Sequence, residues 1–207
     1  MDITIRLESP SDFRETELLT REAFWDVYKP GCDEHLLLHN MRHVPAFIRE
    51  LDFVADYKNK IVGNIIYTKA KVVGENNLEH EVLCMGPLCV LPSCQKKGIG
   101  SKLMKHSIAR AKELGYTAII IFGNPEYYNR FGFENAQKKY NIKTSEGENL
   151  DAFMALELYA GSLIGIEGRF YMDPVFKIDE KELEEFEKEF PYKEKHITAT
   201  QLKSDKN

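Results

Sequence analysis

Residues 95–104 read QKKGIGSKLM. Gly98 and Gly100 stand among Gln95, Lys96, Lys97, Ile99 and Ser101, where an apolar strand hands over to a helix. A helix start leaves several backbone N–H groups unpaired and carries partial positive charge. Glycine lets an anion come close to the main chain. Together these features describe a phosphate cradle. Two familiar cradles do not fit. A P-loop needs four residues between its glycines and a lysine directly after the second. A dinucleotide fingerprint needs a third glycine where Leu103 stands, and an acidic residue at the end of the next strand, where the chain reads Phe122, Gly123, Asn124.

A second feature lies just upstream. Pro87 has no N–H to give to a sheet ladder, so pairing is expected to fail at Gly86-Pro87. Beyond that break Leu88, Cys89 and Val90 offer main-chain groups to something extended. A ligand with amides along one arm and phosphates at its end fits both features, and the pantetheine pyrophosphate of coenzyme A is such a molecule.

The elements that must position these residues follow from periodicity. Residues 3–8 alternate and read as a strand. Pro10, Ser11 and Asp12 offer capping chemistry to a helix over 13–25. A second helix covers 33–44 and stops before Pro45. Residues 52–73 read as two strands about Lys58-Asn59-Lys60. Residues 80–92 form the next strand, with its break at Gly86-Pro87. Residues 100–116 form a helix with Leu103, Ile108, Ala111 and Leu114 as its apolar stripe and Gly115 as its terminator. Residues 118–122, AIIIF, form a continuous apolar run, as expected of a buried strand with a parallel neighbour. The strand–helix–strand unit from 88 to 122 predicts a right-handed crossover, and the hairpins before it predict antiparallel pairing. The fold class is therefore α/β, a mixed twisted sheet flanked by helices. A late strand falls at 151–158. An acidic amphipathic helix at 179–190 carries Leu183, Phe186 and Phe190, with its charges read as a solvated face.

With those elements in place, LCVLPSCQKKGIGSKLM (88–104) resembles the acyl-CoA signature of the GNAT N-acetyltransferase superfamily. Gln95, Gly98 and Gly100 match its Q/R-x-x-G-x-G/A motif. YYNRFGF (127–133) is similar to that superfamily's second motif, and a helix and a strand separate the two. The resemblance covers about 86–133. Chain length predicts a single domain over 1–207, with the acidic helix and tail at 179–207, and the resemblance implies a splayed parallel strand pair within that domain. It implies that Leu88 and Val90 pair with pantetheine, with Cys89 between them. The amides of 96–101 would hold the pyrophosphate, with Gln95, Lys96, Lys97, Ile99 and Ser101 at the loop and Asn124 near the cofactor. The implied reaction is acetyl transfer from acetyl-CoA to a primary amine of a small molecule or peptide, by direct attack in a ternary complex. The implied partners are acetyl-CoA and that acceptor, with a homodimer left open. The alternative reading is a module that binds acyl-CoA without turnover.

The chemistry needs an acid, an oxyanion donor and a base. By motif match, Tyr128 is the general acid for the departing thiolate, in the position whose hydroxyl faces the sulfur. Backbone N–H groups near 88–90 can serve the oxyanion. Histone-modifying relatives carry a glutamate where this chain has Cys84, so the base falls to Glu81, His80 or water. His35, His39 and His43 recur every four residues and share one helix face. No carboxylate or cysteine completes a metal set there, so no metal is expected. That face is expected near the acceptor cleft, which the early helices border in this family.

Composition sets the bounds. The chain has 207 residues, 43% of them hydrophobic and 29% charged, and a net charge of −5. That balance argues against general nucleic-acid affinity. No apolar run approaches a membrane span, and residues 1–10 carry no signal-peptide pattern. Cys32, Cys84, Cys89 and Cys94 lack CxxC spacing and read as free thiols in a reducing cytoplasm.

Overall fold

The structure, a computed structural model, describes residues 2–199 and 201. Strand β1 (Thr4–Leu7) precedes helices α1 (Phe13–Phe24) and α2 (Glu34–Met41). Strands β2 (Phe53–Asp56), β3 (Ile61–Val73) and β4 (Glu79–Val90) follow. Helix α3 (Ile99–Glu113) crosses to β5 (Ala118–Phe122), and α4 (Pro125–Tyr128) comes next. The chain continues through β6 (Glu134–Asn135), α5 (Ala136–Tyr140), β7 (Ile142–Lys143), β8 (Phe153–Glu157), β9 (Gly168–Tyr171) and α6 (Glu180–Glu187).

These strands form one mixed sheet in the order β1-β2-β3-β4-β5-β8-β6, with β9 pairing β3 and β7. The expected hairpins are antiparallel. Lys58 and Asn59 take left-handed φ of 54° and 61° at the β2–β3 turn, the geometry that suits a two-residue hairpin. β4 and β5 are parallel, as the crossover predicts, but they pair only at Leu83↔Ile119 and Cys84↔Ile120. On its other edge β5 pairs β8 antiparallel along all five residues.

The apolar run of β5 has a direct cause. Ile119 and Ile121 face a core with Leu103, Met104 and Ala111 of α3. Ala118 and Ile120 face a second core with Phe153, Ala155 and Phe170. Both faces are covered, so alternation disappears. Phe122 departs from the expectation and is exposed. The stripe of α3 also differs from the apolar pattern. Its buried positions are Ile99, Leu103, Met104, Ser107 and Ala111, while Leu114 is exposed. Ser107 is tolerated in the core because its hydroxyl hydrogen-bonds the buried Tyr67 hydroxyl at 2.7 Å. Gly115 ends the helix at φ 85°, with its N–H donating to Lys112 O and that of Tyr116 to Ala111 O. This is the paired bonding of a glycine-terminated helix.

Helices α1 and α2 lie together against the sheet through a buried ionic cluster. Arg42 donates to Glu8 at 2.8 Å and to Glu17 at 3.0 Å, with both carboxylates nearly fully enclosed. Thr16 donates to Glu8 at 2.5 Å. Arg42 directly follows α2, so this cluster fixes the C-terminal end of that helix. α6 holds the other end. Arg21 donates through Nε to Glu187 at 2.9 Å and stacks over Trp25 at 4.2 Å. Phe186 and Phe190 pack on Leu36.

The charged face of α6 is therefore not wholly solvated, because Glu187 is drawn under Arg21. The histidine face turns toward α6 and away from the cleft. His35 is fully buried against Phe186 and Phe190. His39 pairs with Glu17 at 2.9 Å, and His43 lies beyond the helix end. The segment after α6 returns along α1, where Trp25 donates to Glu194 O at 2.9 Å. Of the expected tail, residues 200 and 202–207 lie outside the described residues. Among the described residues no helix is long and apolar enough to cross a membrane. All four cysteines are free and buried.

Candidate active site

The parting of β4 from β5 creates the site. Along β3, the register moves from Tyr67↔Met85 to Ile65↔Leu88. Gly86 and Pro87 thus stand opposite the single residue Ile66. Such a bulge bends a strand and ends pairing on its far side. β4 stays bonded to β3 through Val90, while its other edge leaves β5 after Cys84. The Leu91 N–H donates to Val62 O, on the β3 side. By alternation, the main-chain groups of Val90 and Leu88 face the gap. Gln95 reinforces this edge by donating to Val90 O at 3.1 Å.

The gap opens onto the start of α3. Lys96 at φ 60° and Gly98 at φ 80° fold the loop tightly. Among the described residues the amides of 96–101 meet no hydrogen-bond acceptor. They form a concave set of donors at a helix N-terminus, suited to an anion. Gly100 packs closely, since a Cβ there would lie 2.7 Å from the Tyr127 hydroxyl and would push the end of that side chain aside. Tyr127 hydrogen-bonds Ser101, and the Arg130 guanidinium covers its ring at 4.7 Å.

One cavity of about 830 Å³ joins these parts, within the range of small-ligand sites. Leu88, Val90, Gln95, Lys96, Gly98, Ile99, Gly100, Ser101, Asn124 and Tyr128 line it. The two remaining positions do not. Cys89 is turned beneath α1, its thiol 3.3 Å from Thr20 Oγ1. Lys97 reaches back to donate to Ser93 O at 2.7 Å. Asn124 lines the wall, but its side chain accepts the Glu126 N–H at 2.9 Å and so caps α4.

Tyr128 lines the cavity together with Met85, Gly86, Pro87 and Leu88. Its ring lies directly against Gly123, where a Cβ would collide with it. It meets Tyr127 edge-on at 4.9 Å and Phe133 at 5.7 Å. Burial, followed by the neighbouring tyrosines, raises its pKa well above the usual phenol value. It therefore stays protonated at neutral pH.

Glu81 and His80 stand elsewhere, at the far end of β4. Glu81 is exposed and paired with Lys69 at 3.2 Å, and His80 borders a separate pocket beside Arg169. Neither lines the cavity. The strand length explains this, because the cavity begins at Cys84 and both residues precede it. Cys84 lines the wall, with burial raising its thiol to about 12. It is not a base at neutral pH. The carboxylate that does line the cavity is Glu34, the first residue of α2. Burial, the largest cause, raises its pKa from 4.5 to about 7. In the sequence its only signal was an acid in the first turn of a helix, which has no chemical specificity.

Residues 50–135 match the acetyltransferase (GNAT) domain family model. Over 164 residues the chain is 26% identical to the uncharacterized N-acetyltransferase YhbS of Escherichia coli strain K12, covering 79% of this chain and 92% of that one. The crystal structure of Escherichia coli YhbS in complex with CoA superposes with a TM-score of 0.75, covering 85% of this chain and 92% of that chain at 26% identity. The chain is thus similar to the GNAT superfamily in sequence over residues 50–135 and in fold over most of its length. A second relative, the uncharacterized N-acetyltransferase YjhQ of Escherichia coli strain K12, is 35% identical over 86 residues, 41% of this chain. That match spans about half, 46%, of YjhQ. The fold also matches a GNAT family acetyltransferase from Brucella melitensis in complex with acetyl-CoA, with TM-score 0.67 and 24% identity over 85% of this chain and 99% of that one. Among the described residues no three His, Cys, Asp or Glu side chains are grouped to hold a metal.

Proposed function

We propose that this chain is an N-acetyltransferase that moves the acetyl group of acetyl-CoA to a primary amine in a ternary complex. The observation that carries the reading is the junction of two main-chain devices. The open edge of Leu88 and Val90 runs directly into the unpartnered amides of 96–101. The first suits the amides of pantetheine, added like a further strand, and the second suits pyrophosphate. The related YhbS structure, which contains CoA, supports the same occupant.

The parted strands bring the thioester beside Tyr128. Backbone N–H of 88–90 offers a donor for the oxyanion. The amine nitrogen attacks the thioester carbon, the C–N bond forms and the C–S bond breaks. Tyr128 gives its proton to the departing sulfur. The tyrosine is positioned by its contact with Gly123 and by its edge-on packing, so its hydroxyl is the free part of a fixed ring.

Thiol release from acetyl-CoA across a panel of small and peptide amines tests this reading. The expected result is amine-dependent CoA release. CoA binding with no release above hydrolysis, for every amine, would leave only a binding module.

A further inference from the structure

The cavity has two chemically different ends. Lys96, Arg130 and the free amides of 96–101 make one end electropositive. At the other end the walls come from α1, the segment before α2, α2 itself and the stretch after β9. Phe24, Tyr28, Leu37, Met172 and Phe176 supply apolar and aromatic surface there. Among the described residues of the lining, Glu34 is the only carboxylate.

Its surroundings give it no direct ion pair among the described residues. The Asp33 N–H donates to Glu34 Oε2 at 3.2 Å. Lys29, the nearby cation, is paired with Asp33 instead. Among the described residues no lysine, arginine or histidine makes an ion pair with Glu34. A half-buried carboxylate without a cation is costly to keep. An ammonium arriving in the cavity would supply the missing charge.

We infer that Glu34 receives the acceptor's ammonium group and takes its proton, and that the acceptor is a primary amine carried on an apolar or aromatic body. The inference rests on the acetyltransferase reading and names the base and substrate class of that same site. Three observations lead to it. The carboxylate is alone among the described residues of the lining, it comes from α2 and not from the loop of 96–101, and the aromatic rings of Phe24 and Tyr28, which line the same cavity, can attract a cation.

Titration agrees with this assignment. An alkylammonium with pKa about 10.4 is almost wholly protonated at pH 7. A carboxylate raised to about 7 is a stronger base than an ordinary glutamate and is still half ionised there. The groups around Glu34 are Asp33 at the N-cap of α2, Lys29, Tyr28 and Cys32 on the preceding segment, Cys89 on β4, and Cys84 and Tyr128 in the same cavity lining. A helix-dipole role alone would lower the pKa of an acid in the first turn, whereas Glu34 is raised.

The steps balance. The ammonium proton passes to Glu34 and then to solvent. The freed lone pair forms the C–N bond, and the C–S pair leaves with sulfur. Tyr128 protonates that thiolate. The second nitrogen proton, lost as the amide forms, restores the phenol through water. One proton is released per turnover.

The test compares wild type and Glu34→Gln with arylalkyl primary amines, from benzylamine to 4-phenylbutylamine, and with ethanolamine as a polar contrast. Folding and cofactor binding are followed by the CoA-induced rise in Tm, which the variant is expected to keep. Wild-type kcat/KM should favour the arylalkyl series and break near pH 7. In Glu34→Gln, kcat should fall about 10²-fold or more, and the break should vanish. Wild-type kcat in the variant, a raised KM with the break intact, or a preference for ethanolamine would overturn the inference while leaving the acetyltransferase reading in place. Bound CoA with no turnover of any amine by the wild type would end both together.

Discussion

The two ends of the cavity are built from different material. The proposed cofactor end is main chain, with a strand edge opened by Gly86-Pro87 and a helix start freed by Gly98 and Gly100. The acceptor end is side chain, with Phe24, Tyr28, Glu34, Leu37, Met172 and Phe176 brought from three separate stretches. A main-chain site tolerates changes of side chain but needs glycine and proline at fixed spacing. A side-chain site can be rewritten residue by residue without touching the fold. The first end is therefore suited to one shared cofactor, and the second to an acceptor particular to this chain.

The largest expected effect falls where the two ends meet. Tyr128→Phe keeps the ring against Gly123 and removes only the hydroxyl. Both kcat and kcat/KM should fall about 10²-fold, with CoA affinity unchanged. Because burial raises this phenol, ionisation of Tyr128 should cause no loss of activity up to pH 10. Undiminished turnover in the variant would make the ring packing alone, and the thiolate would then be protonated by water.

The next effect separates the ends by pH. His35, adjacent to Glu34, is buried neutral, and burial lowers its pKa from 6.5 to about 4. Below pH 6.5 the unfolded chain takes up a proton that the folded chain refuses. Stability present above pH 6.5 is then lost as pH falls to about 4, by at most about 3 kcal/mol. Denaturant unfolding at a series of pH values should show this slope in wild type and lack it in His35→Gln. A shared slope in the two proteins would assign it to other groups. Since His35 packs α2 on α6, acidification should weaken the acceptor end before the cofactor end.

A smaller effect sharpens the contrast further. Tyr28→Ala should raise KM for an arylalkyl amine about tenfold, equivalent to about 1.4 kcal/mol. Its Kd for CoA should stay within about twofold. Equal loss of both would mean that the cavity is not divided as described. The smallest expected effect is none. Glu81→Gln should leave turnover and its pH profile unchanged, because Glu81 is paired with Lys69 outside the cavity.

This division also decided what could be read from the sequence. Gly86-Pro87, Gln95, Gly98 and Gly100 form a contiguous pattern whose backbone meaning survives without coordinates. The parted strands followed from Gly86-Pro87, and the parallel crossover from the strand–helix–strand order of 88–122. Cys89 lies inside the same pattern, yet strand alternation turns it under α1. The acceptor end depended on which loops converge, and no spacing encodes that. Glu34 carried no motif, and the histidine face was legible as a face but not as one turned toward α6. The identity of that partner is set by Phe186, Glu187 and Phe190, about 150 residues farther along the chain. In α3, an apolar-only pattern passed over Ser107, whose burial is permitted by a distant tyrosine.

The central claim is that unpartnered amides at the start of α3 hold the pyrophosphate of CoA. Calorimetric titration of CoA into wild type, Gly100→Ala and Gly100→Asp tests it most directly. The alanine displaces the flexible end of Tyr127 without adding charge, while the aspartate also places an anion in the cradle. With circular dichroism confirming the fold of each, the account predicts that Gly100→Asp weakens CoA at least about 100-fold, or about 2.7 kcal/mol, and that Gly100→Ala weakens it far less. Wild-type affinity for CoA in a folded Gly100→Asp protein would contradict it.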